Sequence, residues 1–197
     1  HTVPGPVFDR FAVAAKRHRT NLVFSLYEKK GSVRLVGSYI VDRKGKLIGR
    51  YYKTHCPVGE DTGGLSRGEE LPLFDTDFAR VAMQVCIETA FPEMTRIYAA
   101  GGAEIIFMPS WGANVIDVRA RARENGVYCV TAGFDVPSLI VAPDGEVIAS
   151  TWKDHGDGVA TAAIDLSKRF CGPYVGNFAE YVRRLRRPDL YGRLSQR

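Results

Sequence analysis

Apolar segments of strand length recur from residue 21 to residue 164, and they are joined in two different ways. Residues 33–41 and 46–52 alternate around Asp42-Arg-Lys-Gly45, a turn ending in glycine, which predicts a hairpin. Residues 138–141 and 146–152 flank Pro143-Asp-Gly145 in the same way. Residues 80–85, 103–108 and 127–132 are separated instead by stretches with helical spacing. These are 92–100, closed by Gly101-Gly102, and 114–125. Residues 8–19 set apolar side chains at 8, 11, 12 and 15, one face of a helix, while 56–68 reads as a loop rich in glycine and charge. Residues 21–27, 71–74 and 159–164 complete the strand set, and the tail from 178 to 191 mixes helix signals with Pro188. Hairpins and helical crossovers together specify α/β architecture with helices outside. With so many strands, two sheets packed face to face are more economical than one very wide sheet.

The chain has 197 residues, 45% of them hydrophobic, enough for one substantial core and a single domain over 1–197. Its four cysteines, at 56, 86, 129 and 171, form no Cys-x-x-Cys pair, and no histidine stands at ligand spacing from another. That pattern argues against a zinc site and against a disulfide framework, and it fits a reduced, cytoplasmic protein. No metal or cofactor is expected. No apolar run approaches the roughly 20 residues needed to cross a bilayer, and no signal peptide is visible. The net charge of +5 is densest at Arg183-Arg184-Leu-Arg186-Arg187. This run lacks interleaved stacking aromatics, so it reads as a solvated face or subunit contact rather than a nucleic-acid site.

Cys86 follows the apolar segment 80–85 and precedes a helical pattern, with Thr89 as a candidate N-cap and Pro92 suited to a first turn. A thiol at a strand-to-helix turn meets unpaired N–H groups and the positive end of a helix dipole, which favour the thiolate. The bland alternative is a small buried hydrophobe. Lys53 ends the strand-like segment 47–52, where it can stabilise the oxyanion of a tetrahedral intermediate; a surface lysine is the competing reading. Glu60, in Pro57-Val-Gly-Glu60, can orient that lysine or a substrate, or be an exposed loop acid. Glu88 and Glu93 read equally well as helix N-terminal acids. A histidine-assisted cysteine mechanism of papain type is the rival. His18 falls on a helix and His155 in a polar turn, leaving His55 as the credible base.

Taken together, these segments resemble the nitrilase (carbon–nitrogen hydrolase) superfamily. The matching pieces, in order, are Tyr51-Tyr-Lys53-Thr-His55 with Glu60, and Val85-Cys86-Ile-Glu88-Thr-Ala-Phe-Pro-Glu93. They continue with Gly102-Ala-Glu-Ile-Ile-Phe-Met-Pro-Ser110 plus Trp111, Arg121-Ala-Arg-Glu124-Asn125-Gly-Val-Tyr128, Pro143-Asp-Gly145 and Arg187-Pro-Asp-Leu-Tyr191. The resemblance implies a four-layer α-β-β-α sandwich of two mixed sheets, assembled as a homodimer or larger homo-oligomer. It makes Cys86 the nucleophile, Lys53 the catalytic lysine, and Glu60 the additional catalytic glutamate that helps position the lysine and substrate. The Ile87 N–H and Trp111 fall to oxyanion and substrate binding, and Arg121, Glu124 and Asn125 to a structural motif.

The implied activity is hydrolysis of a small amide or carbamoyl compound through a thioester. The alternatives are nitrile hydrolysis at the same site and a non-catalytic binding or assembly module. Cys-Ile-Glu resembles the amidase-like branches more than the Cys-Trp-Glu of true nitrilases. The family's base glutamate precedes the segment matched by Val3-Pro-Gly-Pro6, and Glu28 matches a later loop position. The domain, which opens on His1 without a methionine, is therefore expected to be N-terminally incomplete. The segment Thr131-Ala-Gly-Phe-Asp-Val-Pro-Ser138 is shorter than the family's loop beside the active site.

Overall fold

A computed structural model describes residues 1–134, 136–152 and 158–195. Helix α1 (Pro6–His18) begins with proline, whose fixed φ suits a first turn, and buries Phe8 and Ala15. Three antiparallel strands follow: β1 (Leu22–Lys30), β2 (Val33–Val41) and β3 (Leu47–Tyr52). β1 and β2 pair over their whole length, from Leu22 opposite Val41 to Lys30 opposite Val33. The hairpin expected around Gly45 is present, with a register shift at Ile40/Val41. β2 is buried continuously from Leu35 to Val41, which requires cover on both faces. On the outer face Phe24, Tyr39 and Val41 pack against Phe8 and Ala15, and the Phe11 ring stacks on Phe24 at 3.9 Å. On the inner face Val36, Ile40 and Tyr51 join the main core.

The second sheet has six strands in sequential order: β4 (Phe74–Asp75), β5 (Arg80–Met83), β6 (Ile105–Ser110), β7 (Tyr128–Gly133), β8 (Leu139–Val141) and β9 (Val147–Ser150). β5, β6 and β7 run parallel. Parallel neighbours need long crossovers, supplied by α3 (Pro92–Ala100) and α4 (Val115–Asn125). The remaining pairs are antiparallel. α3, α4 and α5 (Phe178–Arg184) cover the outer face, burying Met94, Tyr98, Val118, Ala122, Phe178 and Val182 in one cluster with the strands. The order α1, three-stranded sheet, six-stranded sheet, helix layer is the expected four-layer α-β-β-α sandwich. Mixed pairing occurs in the larger sheet, whereas β1–β3 are antiparallel throughout.

Several boundaries differ from expectation. Residues 159–164, expected as a strand, carry none; this apolar run has no neighbouring ladder, and Val159 is 86% exposed. The segment expected as a strand over 71–74 reduces to β4, with Leu71 and Leu73 packed on the core without a sheet partner. The loop 56–68 contains a short helix, α2 (Val58–Thr62). Of the C-terminal arginines, Arg183 and Arg184 end α5, and Arg187 pairs with Asp189 at 2.6 Å. No described helix is long and apolar enough to cross a membrane.

α4 starts with the Asn114 side chain accepting from Ile116 N–H at 2.9 Å and ends at Gly126, which adopts φ 64°. A Cβ on Gly126 would lie 2.4 Å from Ala179 N and from Phe178 C, so the helix terminus and the start of α5 approach through this glycine. Gly126→Ala is expected to destabilise the fold by about 2 kcal/mol or more through backbone strain and overlap. A urea midpoint unchanged from wild type would contradict that packing.

Candidate active site

Trp111 and Phe134 directly follow the carboxyl ends of β6 and β7, Cys86 stands three residues past that of β5, and Lys53 directly follows β3. All four residues, with Glu60 from α2, line one cleft of about 600 Å³ at the end of the sandwich. Ligand sites in open α/β sheets favour this edge, because the chain leaves each strand there and can turn a side chain toward its neighbours.

Lys53 is the most constrained of these groups. Its side chain is 1% exposed, and Nζ donates to Glu60 Oε2 at 2.6 Å. Its backbone is held on both sides, N–H to Val36 O and C=O from Gly68 N–H, at 3.0 and 2.8 Å. The surface-lysine reading is therefore replaced by a buried ion pair. Glu60 is 22% exposed and also borders the cleft, so the exposed-loop reading of this acid fails too.

Cys86 adopts φ 57°, a left-handed conformation that costs a non-glycine residue on the order of 1–3 kcal/mol. It opens a 3₁₀ turn, Cys86–Ala90, in which Glu88 N–H donates to Val85 O at 3.2 Å. The thiol sits 3.8 Å from Gly112 O. The cysteine thus begins a tight turn rather than the α-helix, and α3 starts six residues later at Pro92. Phe91 precedes that helix in place of the expected Thr89 cap. The Thr89 hydroxyl instead donates to Cys86 O at 3.1 Å, because the intervening turn carries it back over the cysteine. Ile87 follows in the same turn and is 40% exposed.

Glu88 is completely buried, not a helix-terminal acid in solvent. Its Oε1 accepts from Tyr51 Oη, Thr54 N–H, Thr54 Oγ1 and His55 N–H at 2.6, 2.7, 2.9 and 3.1 Å. Its Oε2 accepts from Val85 N–H at 2.7 Å. Burial, reinforced by this carboxylate, pushes the Tyr51 phenol well above its usual range, so it stays protonated and donating. The sequence hides this role because four of the five donors lie 33–37 residues upstream; the local signal is only an acid in the first turn after Cys86. Glu93, in contrast, is exposed in the first turn of α3, as expected of a helix N-terminal acid.

Arg121 braces the same turn, its Nε donating to Thr89 O at 3.0 Å and its Nη1 to Glu124 Oε1 at 2.8 Å. Asn125 Nδ2 donates to Arg121 O at 2.8 Å. These three residues stay on the far side of the turn from the cleft. The aromatic pair Trp111 and Phe134, with ring centroids 5.1 Å apart, stands at the cleft mouth; Phe134 falls in the short loop noted in the sequence.

His55 does not serve the thiol. Its ring packs on Phe91 at 4.2 Å, its Nδ1 meets Thr54 Oγ1 at 2.8 Å, and it does not line the cleft. His18 lies in the last turn of α1, in the outer layer, and His155 falls outside the described residues. All four cysteines are free thiols; burial and then the Glu60 carboxylate push the Cys56 thiol up, and burial does the same to Cys129. Among the described residues no group of three or more His, Cys, Asp or Glu is placed to hold a metal ion.

Comparisons with known proteins give the chain its family. The carbon-nitrogen hydrolase family model matches residues 1–169, and the chain belongs to that family. It is 30% identical over 208 residues to a probable nitrilase of Schizosaccharomyces pombe, covering 96% of this chain and 75% of that one. It is 28% identical to the N-carbamoylputrescine amidase of Arabidopsis thaliana, covering 94% and 72%. A carbon-nitrogen hydrolase from Helicobacter pylori shares the fold, with a TM-score of 0.82 and 23% identity over 97% of this chain and 76% of that one. The amidase from Nesterenkonia sp. AN1 superposes with a TM-score of 0.67 and 26% identity. One of its mutants shows covalent addition of the acetamide moiety of fluoroacetamide at the active-site cysteine. The match covers 73% of this chain and 61% of that mutant chain, so this chain spans less than two thirds of it.

Breaking a buried ion pair by neutralising one partner strands the other charge. Glu60→Gln is expected to cost about 2–3 kcal/mol, reduced from the fully buried case by the partial exposure of Glu60. Adding Lys53→Met should recover most of that loss. Chemical denaturation checks both, and a double variant no more stable than Glu60→Gln would contradict the pairing.

Proposed function

We propose that the protein hydrolyses a non-peptide carbon–nitrogen bond, in a small amide or carbamoyl compound, through a thioester at Cys86. The observation that carries the reading is one cleft shared by the Cys86 thiol and the buried Lys53–Glu60 pair. The covalent adduct in the Nesterenkonia amidase and the N-carbamoylputrescine amidase relative support the chemistry and the compound class.

In the proposed cycle, Cys86 Sγ, as thiolate, adds to the carbonyl carbon. The new oxyanion accepts from Lys53 Nζ and from the Ile87 N–H, which precedes the first internal bond of its 3₁₀ turn. Collapse of the adduct breaks the C–N bond, and the leaving nitrogen departs with a proton as ammonia or an amine. Water then adds to the thioester, and the second collapse frees the acid and restores the thiolate. Glu60, paired with Nζ at 2.6 Å, keeps the lysine aimed throughout. A carboxylate must carry the protons in both halves, and the family pattern assigns that task to a glutamate ahead of residue 3. The amide reading stands above the nitrile reading on Cys86-Ile-Glu88, and assembly as a homodimer or larger is part of the same proposal.

The test uses the full-length protein against a panel of short amides, carbamoyl compounds and nitriles. Cys86→Ala should lower turnover roughly 10,000-fold and Lys53→Met roughly 100- to 1,000-fold. Turnover surviving in Cys86→Ala would refute the mechanism, and turnover of nitriles alone would refute the substrate class.

A further inference from the structure

Cys86 and Lys53 are carried by different sheets. Lys53 leaves β3 of the three-stranded sheet, and Cys86 follows β5 of the six-stranded one. Oxyanion stabilisation by Lys53 at a carbon bonded to Cys86 needs their spacing held closely, because effects of this kind fall off over about 1 Å of misplacement. Neither the Lys53–Glu60 pair nor the Cys86 contact with Gly112 links one residue to the other.

The Glu88 carboxylate does link them. Its Oε1 collects the N–H groups of Thr54 and His55, the two residues after Lys53, together with the hydroxyls of Tyr51 and Thr54. Its Oε2 collects the N–H of Val85, the residue before Cys86. One fully buried side chain therefore clamps the segment bearing the lysine to the segment bearing the thiol. Five donors converge on it, and an ionised carboxylate supplies about four lone-pair sites with no competing hydrogen. The bond to Val85 also closes the turn that holds Cys86 at its positive φ.

We infer that Glu88 is a positioning residue that sets the distance and orientation between Lys53 and the Cys86 thiol. The inference deepens the hydrolysis proposal and rests on it for the catalytic consequence. Its mechanical part does not. Glutamine has the same shape but one NH₂ group, which must face either the Val85 N–H or the Thr54 and His55 N–H groups. Donor then meets donor, and one side of the clamp opens.

The experiment compares wild type with Glu88→Gln by iodoacetamide labelling, read cysteine by cysteine from peptide masses. Cys171 is exposed and serves as the internal rate standard, while fully buried Cys129 reports general opening of the fold. We expect Cys86 labelling to fall about tenfold relative to Cys171 while Cys129 stays unlabelled. With a substrate in hand, kcat should fall about 100-fold with KM within about threefold. Cys86 labelling within twofold of wild type overturns the inference, as does a change that Cys129 labelling accompanies.

If Glu88→Gln does not fold, Tyr51→Phe removes one donor and leaves the rest of the clamp. Cys86 labelling should then fall about threefold with Cys129 silent, and no change overturns the inference. Because labelling requires no turnover, absence of hydrolysis in wild type refutes the proposed reaction while leaving the clamp to be judged on labelling alone.

Discussion

A lysine ammonium buried between two sheets is tolerable only with a carboxylate against it, and the Lys53–Glu60 pair meets that condition at 2.6 Å. The requirement propagates outward. Glu60 must come from close by, so the chain folds back seven residues after Lys53 into the short helix α2, which would have no reason to form in so polar a loop. The same pair leaves a fixed positive charge beside a cleft whose other walls are largely apolar or aromatic. In such surroundings a charge acts on a developing oxyanion more strongly than it does in water.

The second constraint is topological. Three parallel strands, β5, β6 and β7, end on one edge, and each hands the chain to a cleft residue: Cys86, Trp111, Phe134. At Cys86 the hand-over is abrupt, with a left-handed backbone and a 3₁₀ turn inserted before α3. The strain is offset by bonds around the turn, from Val85 N–H to the Glu88 carboxylate, from the Thr89 hydroxyl to Cys86 O, and from Arg121 Nε to Thr89 O. The residues 121–125 that look like a separate motif in the sequence are thus the outer support of the Cys86 turn.

Much of this was legible beforehand. The hairpin around Gly45, helices α3 and α4, the layering, and the convergence of Lys53, Glu60 and Cys86 followed from periodicity, turn residues and the ordered family resemblance. What escaped depends on partners remote in sequence. Residues 159–164 form an apolar run of strand length, yet strands exist only where another offers its ladder, and none does among the described residues. Thr89 and Glu88 carry the marks of a helix start, and local pattern cannot separate a solvent-facing acid from one met by Tyr51, Thr54 and His55 across the sandwich. His55 stands two residues after Lys53 but packs on Phe91, a contact that no spacing rule anticipates.

The account turns on whether carbon is ever bonded to Cys86 sulfur during turnover. The most direct measurement is acid quenching of the full-length protein during hydrolysis of its substrate, followed by peptide mass analysis of the four cysteines. The account predicts an acyl group on the Cys86 peptide alone, lost when the substrate is exhausted. Continued turnover with an acyl group on Cys56 or Cys171, or with none on any cysteine at a quench time shorter than one catalytic cycle, would contradict it.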